Sequence, residues 1–121
     1  MLARLIEEYI TCAEEAAAVD YGNKRSVREF NVRSARMREI VQEVVAMGQD
    51  AIGQFSSVLE IEPAAGWLAH HLVELAELDN KTLAKCFNRV MQAKSEAEGN
   101  GEHATAMGED MWLKEWMARR R

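Results

Sequence analysis

Apolar residues recur every three or four positions along nearly the whole chain, which is the spacing of one face of an α-helix. The residues between them are mainly Ala, Glu, Lys, Arg and Met, which favour helices, and runs of β-branched residues are short. The chain is therefore predicted to be all-α. The pattern divides into six helical segments, at residues 2–19, 24–47, 50–59, 62–75, 80–97 and 102–118.

Residues at the boundaries of these segments are of the types that begin or end helices. Gly22 suits a left-handed cap after the first helix, and Gly48 ends the second. Asp79 or Asn80 is the predicted N-cap of the fifth helix, because the side chain of either residue type accepts hydrogen bonds from free backbone N–H groups. The acidic stretch 95–101 is predicted to be the most loop-like part of the chain.

Short connections between the predicted helices indicate how they pack. A connection of a few residues forces neighbouring helices to run antiparallel, as in a stack of helical hairpins. The predicted architecture is an α-α superhelix of about six antiparallel helices, a short HEAT-like array in one domain over residues 1–121. No repeat is visible in the sequence, so this prediction depends on the helix lengths. A short array leaves an apolar stripe at each end, which allows a homo-oligomer to form.

Composition limits the class of protein. The chain has 121 residues, 48% hydrophobic and 29% charged, as expected for one globular domain. No run of about 20 apolar residues occurs, so no membrane-spanning helix is predicted. Glu7 and Glu8 interrupt the apolar N-terminal run, which argues against a signal peptide. Cys12 and Cys86 are interpreted as small buried or half-buried residues and not as a disulfide, since they lie far apart and no CxxC spacing is present. We expect a cytoplasmic protein.

Charge is unevenly distributed along the chain. The net charge of −5 argues against nucleic acid as a partner, because nucleic-acid binding depends on a positive surface. The second predicted helix nevertheless carries a cluster of cations, which an acidic protein partner could contact. The alternative is an ordinary solvated helix surface. The candidate binding residues on this helix are Arg25, Arg28, Arg33 and Arg36.

Trp112 and Trp116 are four residues apart, so they lie on one side of the sixth predicted helix. They are predicted to close the C-terminal end of the helix stack. The alternative is an exposed aromatic anchor for a partner, because Trp and Arg are enriched at binding hot spots and the basic residues 119–121 follow directly.

One group of residues has the types found in metal sites. His70 and His71 each share a helix face with Glu74. Adjacent histidines cannot point the same way, however, and a zinc site needs three or four converging ligands. The alternative is one histidine half-buried beside Trp67 and the other exposed. Cys86 is expected to be a packing residue and not a nucleophile. We therefore assign no catalytic residue, no metal and no cofactor.

Four stretches carry a resemblance to a known family: REFN at 28–31, MREI at 37–40, PAAGWLA at 63–69 and MWLKEW at 111–116. Over the run from Gly22 to Trp116 the chain resembles small bacterial proteins catalogued as domain of unknown function 2019. All four motifs are of a helix-packing type. The resemblance implies an α-α superhelical fold and no particular activity. The chain departs from the family pattern at Gly66-Trp67, where a smaller and more charged helix entry is expected.

These features lead to three hypotheses about function. The first is a non-enzymatic module that acts through protein–protein contact, because an all-α stack shows no converging polar groups. The second is an immunity-type protein that neutralises a partner toxin, since small acidic helical proteins can block a basic nuclease by charge complementarity. The third is a metal-binding protein that uses His70, His71 and Glu74.

Overall fold

The chain folds into six α-helices and one short 3₁₀ helix, so the all-α prediction is confirmed. The computed structural model describes residues 1–119, and Arg120 and Arg121 of the predicted basic end lie outside the described residues. Within residues 1–119 there is no strand, and no helix there has both the length and the apolar character of a membrane span. The helices are α1 (Leu2–Ala17), α2 (Lys24–Ala46), α3 (Gln49–Phe55), the 3₁₀ helix (Ser56–Glu60), α4 (Ala64–Leu75), α5 (Asn80–Gly99) and α6 (His103–Arg119).

Consecutive helices pack against each other as hairpins. α1 packs on α2, the 3₁₀ helix after α3 packs on α4, and α5 packs on α6. Ion pairs show the antiparallel direction of the first hairpin. Glu8 meets Arg36, whereas Glu15, which is later in α1, meets Arg33, which is earlier in α2. α4 also contacts α1, α2 and α5, so it lies at the centre of the structure.

α2 and α4 run side by side in the same direction. The ring of Phe30 lies 5.7 Å from the ring of Trp67, measured between centroids. Later in both helices, Arg38 forms an ion pair with Glu74 at 3.1 Å. Since these contacts occur in the same order along both helices, α2 and α4 are parallel, as expected for the second helices of successive hairpins.

The hydrophobic core is one cluster of buried side chains where the hairpins pack on one another. Tyr9 of α1 and Phe55 of α3 pack edge to face, with ring centroids 5.0 Å apart. Small residues of α4, namely Ala64, Ala65 and Ala69, are buried and allow its neighbours to approach closely. The largest fully buried side chains come from α1 to α5 and from the 3₁₀ helix: Tyr9, Met37, Ile40, Val41, Val44, Phe55, Val58, Leu68, Leu72, Val73, Cys86 and Val90.

Two of the predicted helix boundaries are confirmed and one is wrong. Gly48 follows α2 with a φ of +105°, and the side chain of Asp79 accepts a hydrogen bond from the N–H of Thr82 as the N-cap of α5. Gly22 does not cap α1, because α1 already ends at Ala17. The N–H of Gly22 instead donates to the side chain of Asp20 at 3.0 Å, in the turn before α2.

The predicted loop at 95–101 is also wrong, because α5 continues to Gly99. Ala97 is buried, so the segment keeps a contact with the core, and the polar residues around it are exposed. The turn itself is Gly101, with a φ of +74°. The N–H of Gly101 donates to the carbonyl of Glu98, and that of Glu102 donates to the carbonyl of Ala97. These two bonds form a Schellman motif, which satisfies the last carbonyls of α5.

Gly101→Ala should destabilise the protein by about 1 kcal/mol, because an L-residue pays that cost in the left-handed conformation. Gly108→Ala is the matched control. Gly108 lies within α6, and an added Cβ would meet nothing within 4 Å at either position. The control should stabilise by about 0.5–1 kcal/mol, since alanine favours a helix. Urea unfolding measures both changes, and shifts of the same sign would contradict the left-handed turn.

Candidate functional site

α4 forms the floor of an open groove whose sides are α2 and α6. One side of α4 is buried in the core, and the other presents Trp67, His70 and Glu74 at steps of three and four residues. The groove widens into a cavity of about 460 Å³, whose walls include Arg38 from α2 and Glu109 from α6. This volume lies within the range of about 300–1,000 Å³ that is usual for ligand pockets. We call this surface the α2–α4–α6 groove.

The carboxylate of Glu74 joins all three helices of the groove. Its Oε1 accepts a hydrogen bond from Arg38 of α2 at 3.1 Å. Its Oε2 accepts one from the indole Nε1–H of Trp112 of α6 at 2.9 Å. Charge-assisted hydrogen bonds of this kind are stronger than neutral ones. Glu74 therefore fixes the positions of both side chains relative to α4.

His70 makes a second connection from α4 to α6. Its Nε2 lies 3.0 Å from Oε2 of Glu109, and its ring packs edge to face on Trp112 with centroids 4.3 Å apart. Residues 70 and 74 thus meet residues 109 and 112 in the same order, so α4 and α6 are parallel. His70 is half-buried, and the prediction that one of the two histidines is exposed is wrong, because α6 covers it.

His71 lies at the inner edge of the groove beside Trp67, and its side chain is buried against the core. Its Nδ1 and the hydroxyl of Tyr9 form a hydrogen bond of 2.8 Å, and its ring lies 6.1 Å from that of Trp67. A histidine does lie beside Trp67, as predicted, but it is buried and not half-buried. Burial lowers the pKa of His71 to about 4, and the positive charge of Arg38 acts in the same direction. His71 is therefore neutral at pH 7.

The residues of the suggested metal site do not converge. His70 contacts Glu109, His71 contacts Tyr9, and Glu74 contacts Arg38 and Trp112. Within residues 1–119, no group of three or more His, Cys, Asp and Glu side chains is arranged to hold a metal ion. The three side chains act instead as links between helices.

Both cysteines are free thiols and buried, as interpreted from the sequence. Burial raises the pKa of Cys86 to about 12 and also raises the pKa of Cys12, where Glu8 and Glu15 add to the effect. The thiolate, not the thiol, is the nucleophile, so these environments suppress cysteine chemistry.

The candidate arginines of α2 are mostly neutralised within the chain. Arg36 forms two hydrogen bonds with Glu8, at 2.6 and 2.9 Å, which lower the pKa of Glu8. Arg33 is paired with Glu15 and Glu29, and Arg25 with Glu29. Two of these arginines thus hold α1 against α2.

Arg28 differs from the other candidate arginines. Within residues 1–119 it forms no hydrogen bond and no ion pair, although it lines a shallow cavity beside the exposed side chain of Val32. An acidic partner on α2 stays a prediction, and Arg28 is the cation on which it now depends.

Trp112 and Trp116 are both half-buried on the groove side of α6. Their rings are 6.3 Å apart, and Trp112 also packs on Phe87 of α5 at 5.9 Å. The guanidinium of Arg119 lies 4.5 Å from the centre of the Trp116 ring. The two tryptophans thus pack on the helix stack, and their use as an aromatic anchor for a partner stays a prediction.

The opposite, outer side of α6 exposes Met107 and Met111, with 64% and 65% of their surface accessible. Apolar residues therefore lie on both sides of this last helix. Self-association through an end of the stack stays a prediction, and the outer side of α6 is one surface through which it could occur.

Comparisons of the chain with protein-family models, with curated proteins and with solved structures find no match. The resemblance to domain of unknown function 2019 therefore stays a prediction.

Sequence reasoning missed three residues of this region, namely Tyr9, Arg38 and Glu109. Glu109 could have been found, because it lies three residues before Trp112 and seven before Trp116, on the same helix side. Tyr9 and Arg38 come from other helices, and no sequence signal connects either of them to α4.

Tyr9→Phe should destabilise the protein by about 1–3 kcal/mol, because it leaves the buried Nδ1 of His71 without a partner. Tyr21→Phe removes the same hydroxyl from an exposed ring and should change stability by less than about 0.5 kcal/mol. Urea unfolding at pH 7 gives both values. Equal effects of the two substitutions would show that the hydroxyl of Tyr9 stabilises nothing specific.

Stability should fall as the pH drops from about 6.5 towards 4. The pKa of His71 is lower in the folded chain than in the unfolded one, so the unfolded state binds the proton first. The loss between pH 7 and pH 4.5 should be about 2–3 kcal/mol. His71→Gln should flatten this dependence, whereas His103→Gln, at an exposed position, should leave it unchanged. An unaltered profile in His71→Gln would contradict the assignment.

Proposed function

We propose that this chain is a cytoplasmic, non-enzymatic protein-interaction module that binds a segment of a partner protein in the α2–α4–α6 groove. One observation carries the proposal: the groove is open, Trp67 lines it and Trp112 adjoins it, while its central polar groups already bond to one another across three helices. Such an arrangement presents a rigid surface, and rigid surfaces bind with little loss of conformational entropy.

The chemistry of the titratable groups supports binding over catalysis. His71 is neutral and bonded to Tyr9, both thiols are buried, and Glu74 is held by two donors. A general acid or base must be free to exchange a proton with a substrate. Here these groups are engaged in holding helices together.

The architecture supports the same proposal. The parallel helices α2, α4 and α6 form one continuous surface, as the second helices of a short HEAT-like array do. Stacked helical hairpins of that kind use such a surface to bind extended partners. Aromatic side chains are the residues that most often dominate such interfaces. Trp67 lines this one, and Trp112 and Trp116 pack beside it on α6.

A groove-blocking substitution tests the proposal. Thr105 is exposed in the first turn of α6 and lines the groove, so Thr105→Arg places a long side chain inside it. Ala104→Arg is the control, because Ala104 is exposed next to it and does not line the groove. Tagged protein should capture a partner from lysate of the source cells after cross-linking, as measured by mass spectrometry. Thr105→Arg should lose that partner and Ala104→Arg should keep it.

A third variant separates this groove from the basic surface of α2. Arg28→Glu reverses a charge that no ion pair within residues 1–119 uses, so the substitution leaves the α1–α2 contact intact. It should not affect capture. Loss of the partner in Arg28→Glu but not in Thr105→Arg would contradict the groove and favour an acidic partner on α2. If the groove-dependent partner is a basic nuclease, the module is of the immunity type.

A further inference from the structure

The cavity of the α2–α4–α6 groove has an excess of negative charge. Its lining contains one guanidinium, that of Arg38, and two carboxylates, those of Glu74 and Glu109. Histidines are left out of this count, as they are in the formal net charge of the chain. Arg38 and Glu74 neutralise each other through their ion pair at 3.1 Å. The carboxylate of Glu109 therefore carries the unbalanced charge.

Glu109 also has an unused hydrogen-bond acceptor. Its Oε2 contacts Nε2 of His70 at 3.0 Å, but Oε1 has no hydrogen-bond or ion-pair partner within the described part of the chain. The side chain is about one-fifth exposed, so it is partly withdrawn from water and still accessible. An ionised carboxylate in such a position binds a cationic donor more strongly than a fully solvated one does.

Two tryptophans lie in the same region as this carboxylate. Trp67 lines the same cavity, and Trp112 lies one helical turn from Glu109 on α6. The face of an indole ring attracts cations, and a guanidinium can also stack on it. The chain itself provides an example on the same side of α6, where Arg119 stacks on Trp116.

We propose that the cavity binds an arginine side chain of a basic partner segment, with its guanidinium paired to Glu109 and its planar face against the Trp67 side of the groove. This inference rests on the proposed function and adds the chemistry of the partner. Arginine fits better than lysine, because its planar fork can both pair with a carboxylate and stack on a ring. The net charge of −5 would attract such a segment from a distance.

Tryptophan fluorescence provides the test, since all three tryptophans of the chain belong to the groove or adjoin it. The probe is a blocked peptide, GARRAG, which contains no aromatic residue. At low ionic strength it should change the fluorescence saturably. A peptide with citrulline in place of both arginines keeps the shape without the charge and should not bind.

Two variants show whether the bound charge is at Glu109. Glu109→Gln keeps the size and the contact with His70, and it should weaken peptide binding at least about tenfold, the loss expected for one charge-assisted hydrogen bond. Glu7→Gln changes the net charge equally at an exposed site on α1, outside the groove, and should bind as the parent chain does. Thr105→Arg supplies an arginine from within the chain and should also abolish binding. Because this variant keeps Glu109, it tests the cavity independently of any misfolding in Glu109→Gln.

Equal affinity of Glu109→Gln and Glu7→Gln would overturn the inference, because binding would then follow only the net charge. Absence of saturable binding to the parent chain, or equal binding of the citrulline peptide, would overturn it as well. None of these outcomes would contradict the proposed function, which does not depend on arginine binding. Capture of a partner that Thr105→Arg abolishes would still support the groove even if the arginine peptide does not bind.

Discussion

The central position of α4 is the constraint on which the rest of the structure depends. This helix contacts α1, α2, α5 and the 3₁₀ helix, so most of its circumference must be small or apolar. Apart from His71, which is buried and bonded to Tyr9, the larger polar and aromatic residues Trp67, His70 and Glu74 occupy one narrow side. Because α2 and α6 lie on either side of that stripe, the residues that α4 cannot bury in the core become the floor of the groove.

Hydrogen bonds across the floor of the groove fix the positions of α2 and α6 relative to α4. Glu74 accepts from Arg38 on one side and from Trp112 on the other, and His70 bonds to Glu109. Buried or half-buried polar groups cost stability unless they are paired, so each of these side chains restricts where its partner helix can lie. The same contacts that stabilise the stack thus orient the aromatic rings that a partner would meet.

Charge is used differently on the two sides of α2. Towards α1, Arg33 and Arg36 are balanced by glutamates and hold the first hairpin together. Towards α4, Arg38 is balanced by Glu74, and Glu109 across the groove contacts His70 and, within residues 1–119, no lysine or arginine. A helix that looks strongly basic in the sequence therefore contributes little free positive charge, and the more distinctive electrostatic feature is acidic.

The helical pattern by itself determined the all-α class, the approximate bounds of the helices, the N-cap at Asp79 and the burial of both cysteines, because all of these depend on neighbours within a few turns. Polarity alone was misleading at 95–101, where the polar side chains are exposed on a helix that continues to Gly99 and the chain turns at Gly101. Only the tertiary structure showed which residues meet in the groove and beside it. Tyr9, Arg38 and Glu109 lie 62, 36 and 39 residues from their partners on α4, and contacts over such distances follow from how three hairpins stack and from no local spacing.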